Sequence, residues 1–192
     1  MQQSQLGDCN KSLPINSGLN RIYFNFTANM TTDEVKKLYG NKIRVRACGL
    51  LMEDDGILLV RHSNIGDSGD LWLPPGGGMN YGESLEACLL REFYEETGLK
   101  VEAGPLKFVY QFIKPPFHAV EFFFEVNNPK GTLQKGYDPE MSMKKQIIQE
   151  VRHVTFSEIS IIPLQHLHGI FAHCEPPSLI KGLTGLYTGG VT

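Results

Sequence analysis

Glu92, Glu95 and Glu96 stand at positions i, i+3 and i+4 of the run Arg91-Glu92-Phe93-Tyr94-Glu95-Glu96-Thr97. On an α-helix that spacing gathers the three carboxylates on one face. Carboxylates crowded in this way repel one another unless a cation neutralises them. Hard divalent cations take oxygen ligands, and Mg²⁺ binds a few carboxylates while keeping positions for water and for a substrate phosphate. The chemistry indicated is binding of a divalent cation with room for water and a phosphate. Gly76, Gly77 and Gly78 lie upstream, where a loop free of side chains would let backbone approach metal and phosphate closely. Taken alone, three glycines are also a flexible turn, and an arbitrary Glu-x-x-Glu-Glu is more often an exposed helix end. The surrounding residues have to decide.

The helix that positions the glutamates reads as residues 84–97, with Ser84 as N-cap, Glu86 in the first turn and Gly98 at the C-terminal stop. Leu85, Cys88 and Leu89 continue the stripe of the glutamates, while Ala87, Leu90, Phe93 and Tyr94 fall opposite. A helix apolar on much of both sides predicts burial within a layer. Upstream, apolar runs at 43–52 and 57–60 flank Glu53-Asp54-Asp55-Gly56, an Asp-Gly hairpin signal. Leu71-Trp72-Leu73 is a short extended piece ended by Pro74-Pro75. Further strands are predicted at 106–113, 118–126 and 150–156, with loops at Pro115-Pro116 and 127–145. A last helical region falls within 157–174, and the Pro176-Pro177 pair and Gly-rich end predict a loose tail. Strands around one helix, followed by another helix, predict an α/β (α+β) chain with a mixed sheet packed between helices.

The bulk properties fit a single domain with modest extensions. The chain has 192 residues, 41% hydrophobic and 20% charged. The boundaries read as an N-terminal extension at 1–40, a functional domain at 41–175 and a tail at 176–192. Thr32 or Asp33 would cap a short helix stopped by Gly40, and Met30 offers a second start for the functional domain. A net charge of −3 argues against a dedicated nucleic-acid binder. Cys9, Cys48, Cys88 and Cys174 are scattered, with no CxxC and no zinc spacing. Free thiols and a polar beginning without a leader predict a cytoplasmic protein, and no stretch is long and apolar enough to span a membrane. His166, His168, His173 and Cys174 fit no structural zinc pattern and read as a polar-faced segment. Trp72, Tyr110, Phe112 and Phe117 read as core rather than base-stacking residues.

Gly77, Glu83 and the run from Arg91 to Leu99 decide the question. They match G-x5-E-x7-R-E-U-x-E-E-x-G-U at every fixed position, with U a bulky apolar residue, and so resemble the Nudix box. Trp72-Leu73-Pro74-Pro75 before the box and Glu150 to Ile159 after it extend the resemblance over about residues 43–164. It implies a Nudix-type α/β/α sandwich on a mixed β-sheet, with the box as loop–helix–loop. It also implies a pyrophosphohydrolase that uses Mg²⁺, with Mn²⁺ as a substitute. Glu95 and Glu96 would be the main metal ligands, Glu92 a third ligand or the base that activates water, and the Gly76 carbonyl an added ligand. Gly76, Gly77 and Gly78 would shape the phosphate loop, and Arg91 with Glu83 would form a bracing ion pair. Glu150 would be a general base or further ligand, with Glu121 a weaker candidate of the same sort. Pro115, sixteen residues beyond Leu99, resembles a proline that accompanies ADP-ribose hydrolysis. The implied partner is a small nucleotide such as ADP-ribose or a nucleotide sugar, with noncanonical or oxidised nucleoside triphosphates as the alternative. No nucleic acid or membrane is implied, and a homodimer is compatible with the pattern. A non-catalytic ligand-sensing domain of this type would show damaged carboxylates, whereas all are intact here.

Overall fold

Period-two alternation sorts the strand side chains onto two faces. In β1 (Lys42–Leu50), Cys48 and Leu50 enter one core and Ala47 the other. In β2 (Gly56–Ser63), Ile57 and Leu59 enter the first core and Leu58 the second. The computed structural model describes residues 36–37, 39–63, 69–136 and 147–190. The expectations for Met30, Thr32, Asp33 and most of the extension at 1–40 lie outside these residues. Lys36, Lys37 and Tyr39 are helical, and the Gly40 N–H closes that turn on the Lys36 carbonyl at 2.8 Å.

The remaining strands are β3 (Asp70–Leu73), β4 (Gly76–Gly78), β5 (Lys100–Lys114), β6 (Phe117–Lys130), β7 (Ile148–Thr155) and β8 (Gly185–Gly189). A five-stranded sheet runs β4-β1-β6-β5-β8 and a three-stranded sheet runs β3-β2-β7. The first is mixed, because β1–β6 and β5–β8 are parallel while β1–β4 and β5–β6 are antiparallel. Helix α1 (Leu85–Thr97) lies over the core of Ala47, Leu58 and Val126, with Leu89 and Phe93 buried in it. Helix α2 (Phe156–Ile161) and the short 3-10 turns after it close the opposite core, through Ile159, Leu167, Ile170, Phe171 and Ile180. Helical layers on both faces of a mixed sheet agree with the expected fold class.

Several local expectations are corrected. The Asp55-Gly56 turn exists, but β1 and β2 do not form a hairpin. Each strand uses both edges on other partners, β1 on β4 and β6, β2 on β3 and β7, so only the bridge from Met52 to Ile57 joins them. Gly76–Gly78 is an edge strand rather than a loop. Helix α1 is not apolar on both sides: Tyr94 is 49% exposed, and Glu86 and Ala87 are also exposed. The last helical region breaks into α2 and 3-10 turns at Pro163, Gly169 and Pro176-Pro177, where the backbone loses donors or gains freedom. The Gly-rich end is no loose tail, since β8 pairs in parallel with β5 along Phe108–Phe112. Pro115-Pro116 sits in the β5–β6 turn.

Candidate metal centre

The local sequence fixes helix α1 at both ends. Ser84 Oγ accepts the Ala87 N–H at 3.1 Å, and Gly98 adopts the left-handed conformation that ends the helix. Phe93 is wholly buried and sits so close to β1 that a side chain at Gly49 would collide with its ring. That anchor turns Glu92 and Glu96, on either side of it, toward the strands.

Glu96 is the innermost of the three carboxylates, at 7% exposure. Its Oε2 accepts the Gly76 N–H at 2.9 Å, and its Oε1 lies 3.2 Å from His62 Nε2. Glu92 and Glu95 share a different partner. Arg91 Nη1 donates to Glu92 Oε1 at 2.8 Å and to Glu95 Oε2 at 3.2 Å. The Glu92 carboxylate also fills the space beside Gly77, where any β-carbon would overlap it. Gly76 has a φ of 152°, and a β-carbon there would strike the Ala47 carbonyl and Cys48 of β1. Gly76 is therefore required by its close approach to the sheet backbone, whereas a side chain at Gly77 would push the flexible end of Glu92 aside.

The bracing pair is present. Arg91 Nε and Nη2 donate to Glu83 Oε1 and Oε2 at 2.8 and 2.9 Å, and Nη2 also reaches the Gly78 carbonyl at 3.1 Å. This two-pronged contact holds the Glu83 carboxyl down to about 2, its largest cause being the hydrogen bond from Arg91. Glu92 moves the other way. Burial pushes its carboxyl up to about 7, against the opposing pull of Arg91.

Sequence reasoning missed a buried polar seam beneath the glycine strand. Arg46 Nη2 donates to the Gly76 carbonyl at 3.0 Å, and Arg46 Nε lies 2.9 Å from Glu121 Oε1. Glu121 Oε2 meets His168 Nε2 at 2.8 Å, and His168 Nδ1 accepts the Ile170 N–H at 3.2 Å. Although burial pushes the Glu121 carboxyl up, His168 and Arg46 outweigh it and hold it low. Glu121 is thus tied to a buried ion pair, and His168 is buried rather than on a polar face. Glu150 lies elsewhere in the network, its two oxygens occupied by Arg61 at 3.2 Å and Arg152 at 3.1 Å. Arg61 projects from the face of β2 opposite His62, against Trp72. Cys48, Cys88 and Cys174 are free, buried thiols, and burial pushes that of Cys88 up to about 11.

The donors around α1 suit a hard cation. Glu92, Glu95, Glu96 and the Gly76 carbonyl are all oxygen donors, and Arg46 takes only one of the two lone pairs of that carbonyl. The poorly solvated Glu92 carboxylate is a group that added positive charge would stabilise. The box carboxylates are nonetheless spread over separate partners. Among the described residues, the ligand atoms that all lie within 4.8 Å of one another belong to Glu53, Asp55 and His153. That cluster is at the β1–β2 turn, with both carboxylates exposed.

The NUDIX domain model matches residues 42–172, more than half of the chain. The chain belongs to the Nudix family. The Nudix hydrolase YvcI of Bacillus subtilis is 40% identical over 70 residues, which are 36% of this chain and 41% of that protein. The human diphosphoinositol polyphosphate phosphohydrolase 3-alpha is 38% identical over 65 residues, 34% of this chain and 38% of that protein. The ADP-ribose pyrophosphatase of Methanocaldococcus jannaschii is 34% identical over 92 residues, 47% of this chain and 54% of that protein. The chain thus spans about two fifths to one half of the length of these curated relatives. The solved structure of the MutT protein from Methanosarcina mazei superposes with a TM-score of 0.56 at 20% identity, over 74% of this chain and 95% of that one. A Nudix hydrolase from Nitrosomonas europaea does so with the same TM-score and identity, over 74% and 93%. At such identities the likeness concerns the Nudix fold.

Proposed function

We propose that this Nudix chain hydrolyses a diphosphate bond in a nucleoside diphosphate linked to another group, with an ADP-ribose-like molecule as the substrate class. The observation that carries this reading is the buried Glu96 carboxylate, locked to the Gly76 backbone on the same helix face as Glu92 and Glu95. Glu95, Glu96 and the Gly76 carbonyl would hold Mg²⁺. When bound, the ion supplies neutralisation of the diphosphate charge and a more acidic water. Glu92 is the base. Its Oε1 and Oε2 lie against Gly77 on the helix face shared with Glu95 and Glu96, where a carboxylate can take the proton of an attacking water. Arg91 orients both Glu92 and Glu95, and Glu83 fixes Arg91 in turn. Glu150 would have to leave two arginines to serve as base, which favours Glu92 for that role.

The similarity to an ADP-ribose pyrophosphatase over 92 residues supports the substrate class. A second reading, a diphosphorylated inositol polyphosphate, rests on the similarity to the human phosphohydrolase. The test is a panel of ADP-ribose, a nucleotide sugar, an oxidised nucleoside triphosphate and a diphosphoinositol polyphosphate, with products read by phosphorus NMR in Mg²⁺. The proposal expects AMP and ribose 5-phosphate from ADP-ribose. Cleavage of the inositol compound alone would favour the second reading. Binding without cleavage, equal in wild type and Glu96→Gln, would make the chain a ligand sensor.

A further inference from the structure

One contact of Glu96 comes from a strand outside the box. His62 is the penultimate residue of β2, on the face of Leu58 and Val60, and it is 3% exposed. Its Nε2 lies 3.2 Å from Glu96 Oε1. Both ring nitrogens are shielded from solvent, and neither makes a hydrogen bond among the described residues. The close approach to Glu96 is therefore misdirected for an N–H···O bond. A buried imidazole with two unsatisfied nitrogens is costly, and a missing ion is one of the standard explanations for such a group.

The arrangement around Glu96 says where that ion would sit. Oε2 spends one lone pair on the Gly76 N–H at 2.9 Å, whereas Oε1, the oxygen beside His62, accepts no hydrogen bond among the described residues and is the freer of the two for a cation. Two cis ligands, each about 2.1 Å from one small divalent ion, stand about 3 Å apart without pointing at one another. The separation of His62 Nε2 and Glu96 Oε1 matches that arrangement. Glu92, Glu95 and Gly76 offer only oxygen, so His62 would change the character of the centre.

We propose that His62 Nε2 is a ligand of the divalent ion held by Glu96, making a mixed nitrogen–oxygen centre that prefers a first-row transition ion over Mg²⁺. This rests on the metal-dependent reading given above. Imidazole nitrogen is a good donor to first-row transition ions, whereas Mg²⁺ keeps to oxygen.

Pulsed electron paramagnetic resonance of the full chain loaded with Mn²⁺ reads the bond directly. Wild type and His153→Gln, which removes the imidazole of the Glu53–Asp55 cluster, are both expected to show nitrogen hyperfine coupling that changes when their histidines carry heavy nitrogen. Added to His153→Gln, His62→Gln is expected to lose the coupling and to weaken Mn²⁺ binding by about 10–100-fold, with a smaller change for Mg²⁺. Thermal unfolding without metal establishes that the variant is folded. Absence of nitrogen coupling in Mn²⁺-loaded His153→Gln overturns the inference, as does its persistence when folded His62→Gln is combined with His153→Gln. A His153→Gln chain that couples through nitrogen, when neither it nor wild type cleaves a diphosphate, supports the ligand and sinks the hydrolase reading. A wild type that cleaves with Mn²⁺ and shows no nitrogen coupling does the reverse. A wild type that binds no Mn²⁺ overturns both.

Discussion

The two halves of the carboxylate face of α1 are held in unlike ways. Glu92 and Glu95 are gripped from within their own helix, by the single guanidinium of Arg91. Glu96 is held from outside, by the Gly76 backbone N–H of β4, with the imidazole of β2 standing beside its other oxygen. The outer pair shares a positive group that an incoming cation can replace. The inner carboxylate has its position set by the fold, with one oxygen already committed before any ion arrives. This difference suggests that Glu96 is the preset ligand around which the outer carboxylates close.

Substitutions can break that comparison. The largest effect is expected from Glu96→Gln, which should lower kcat by about a thousandfold or more. Metal-borne charge stabilisation is worth several kcal/mol, and each ~1.4 kcal/mol is tenfold. Glu95→Gln should cost about tenfold less, because Arg91 and Glu92 remain to close the outer side. Equal losses in steady-state kinetics would erase the distinction between the halves. Gly77→Ala comes next. Its β-carbon displaces the carboxylate of the base, Glu92, and activity should fall about 100-fold, the lower end of what a positioned base contributes. An alanine variant with wild-type kcat would mean that Glu92 has no fixed role.

Arg91→Ala should lower stability as well as release Glu92 and Glu95, which Arg91 orients. It removes charge-assisted bonds to Glu83, Glu92 and Glu95 from a partly exposed site, for a loss of about 1–3 kcal/mol in urea unfolding. Arg91→Lys should recover little, since one ammonium cannot reproduce the planar fork across Glu83.

The smallest effect is a pH dependence of the metal-free protein, with opposite signs on the two sides of Arg91. Glu83 is held down to about 2 from an ordinary 4.5, so its contribution to stability is complete above about 4.5 and is lost as pH falls through 2. Glu92 is pushed up to about 7, so the folded chain binds its proton more tightly than the unfolded one. Stability should therefore decline as pH rises from about 4.5 to about 7 when metal is chelated. Tm measured across pH in chelator should show Glu83→Gln flattening the acid limb and Glu92→Gln the neutral one.

The parts legible in the sequence are those whose partners are near in the chain. Ser84 with Ala87, Gly98 at the helix end, and Arg91 with Glu83 and Glu95 lie within a few residues of one another. Helix geometry alone fixes such pairs. Apart from β4 and β8, the strands were also visible as extended or apolar runs, but their partners were not. Nothing in an alternating pattern says that β1 will take β4 and β6 and leave β2 to another sheet. The Asp55-Gly56 signal described the turn correctly and the pairing wrongly. Arg46, Glu121 and His168 were hidden for the same reason, since each comes from a different element and none carries a spacing rule. His62 left one trace. It is polar at the next position on the buried face after Leu58 and Val60, where an apolar residue would be ordinary.

The most direct test measures ADP-ribose hydrolysis by wild type during Mg²⁺ titration after complete chelation, with Glu86→Gln as a control altered on the exposed face of the same helix. The account predicts no turnover in chelator, saturable recovery with Mg²⁺ in wild type and Glu86→Gln alike, and no recovery in Glu96→Gln. Turnover that persists in chelator, or that Glu96→Gln shares with wild type, would contradict it.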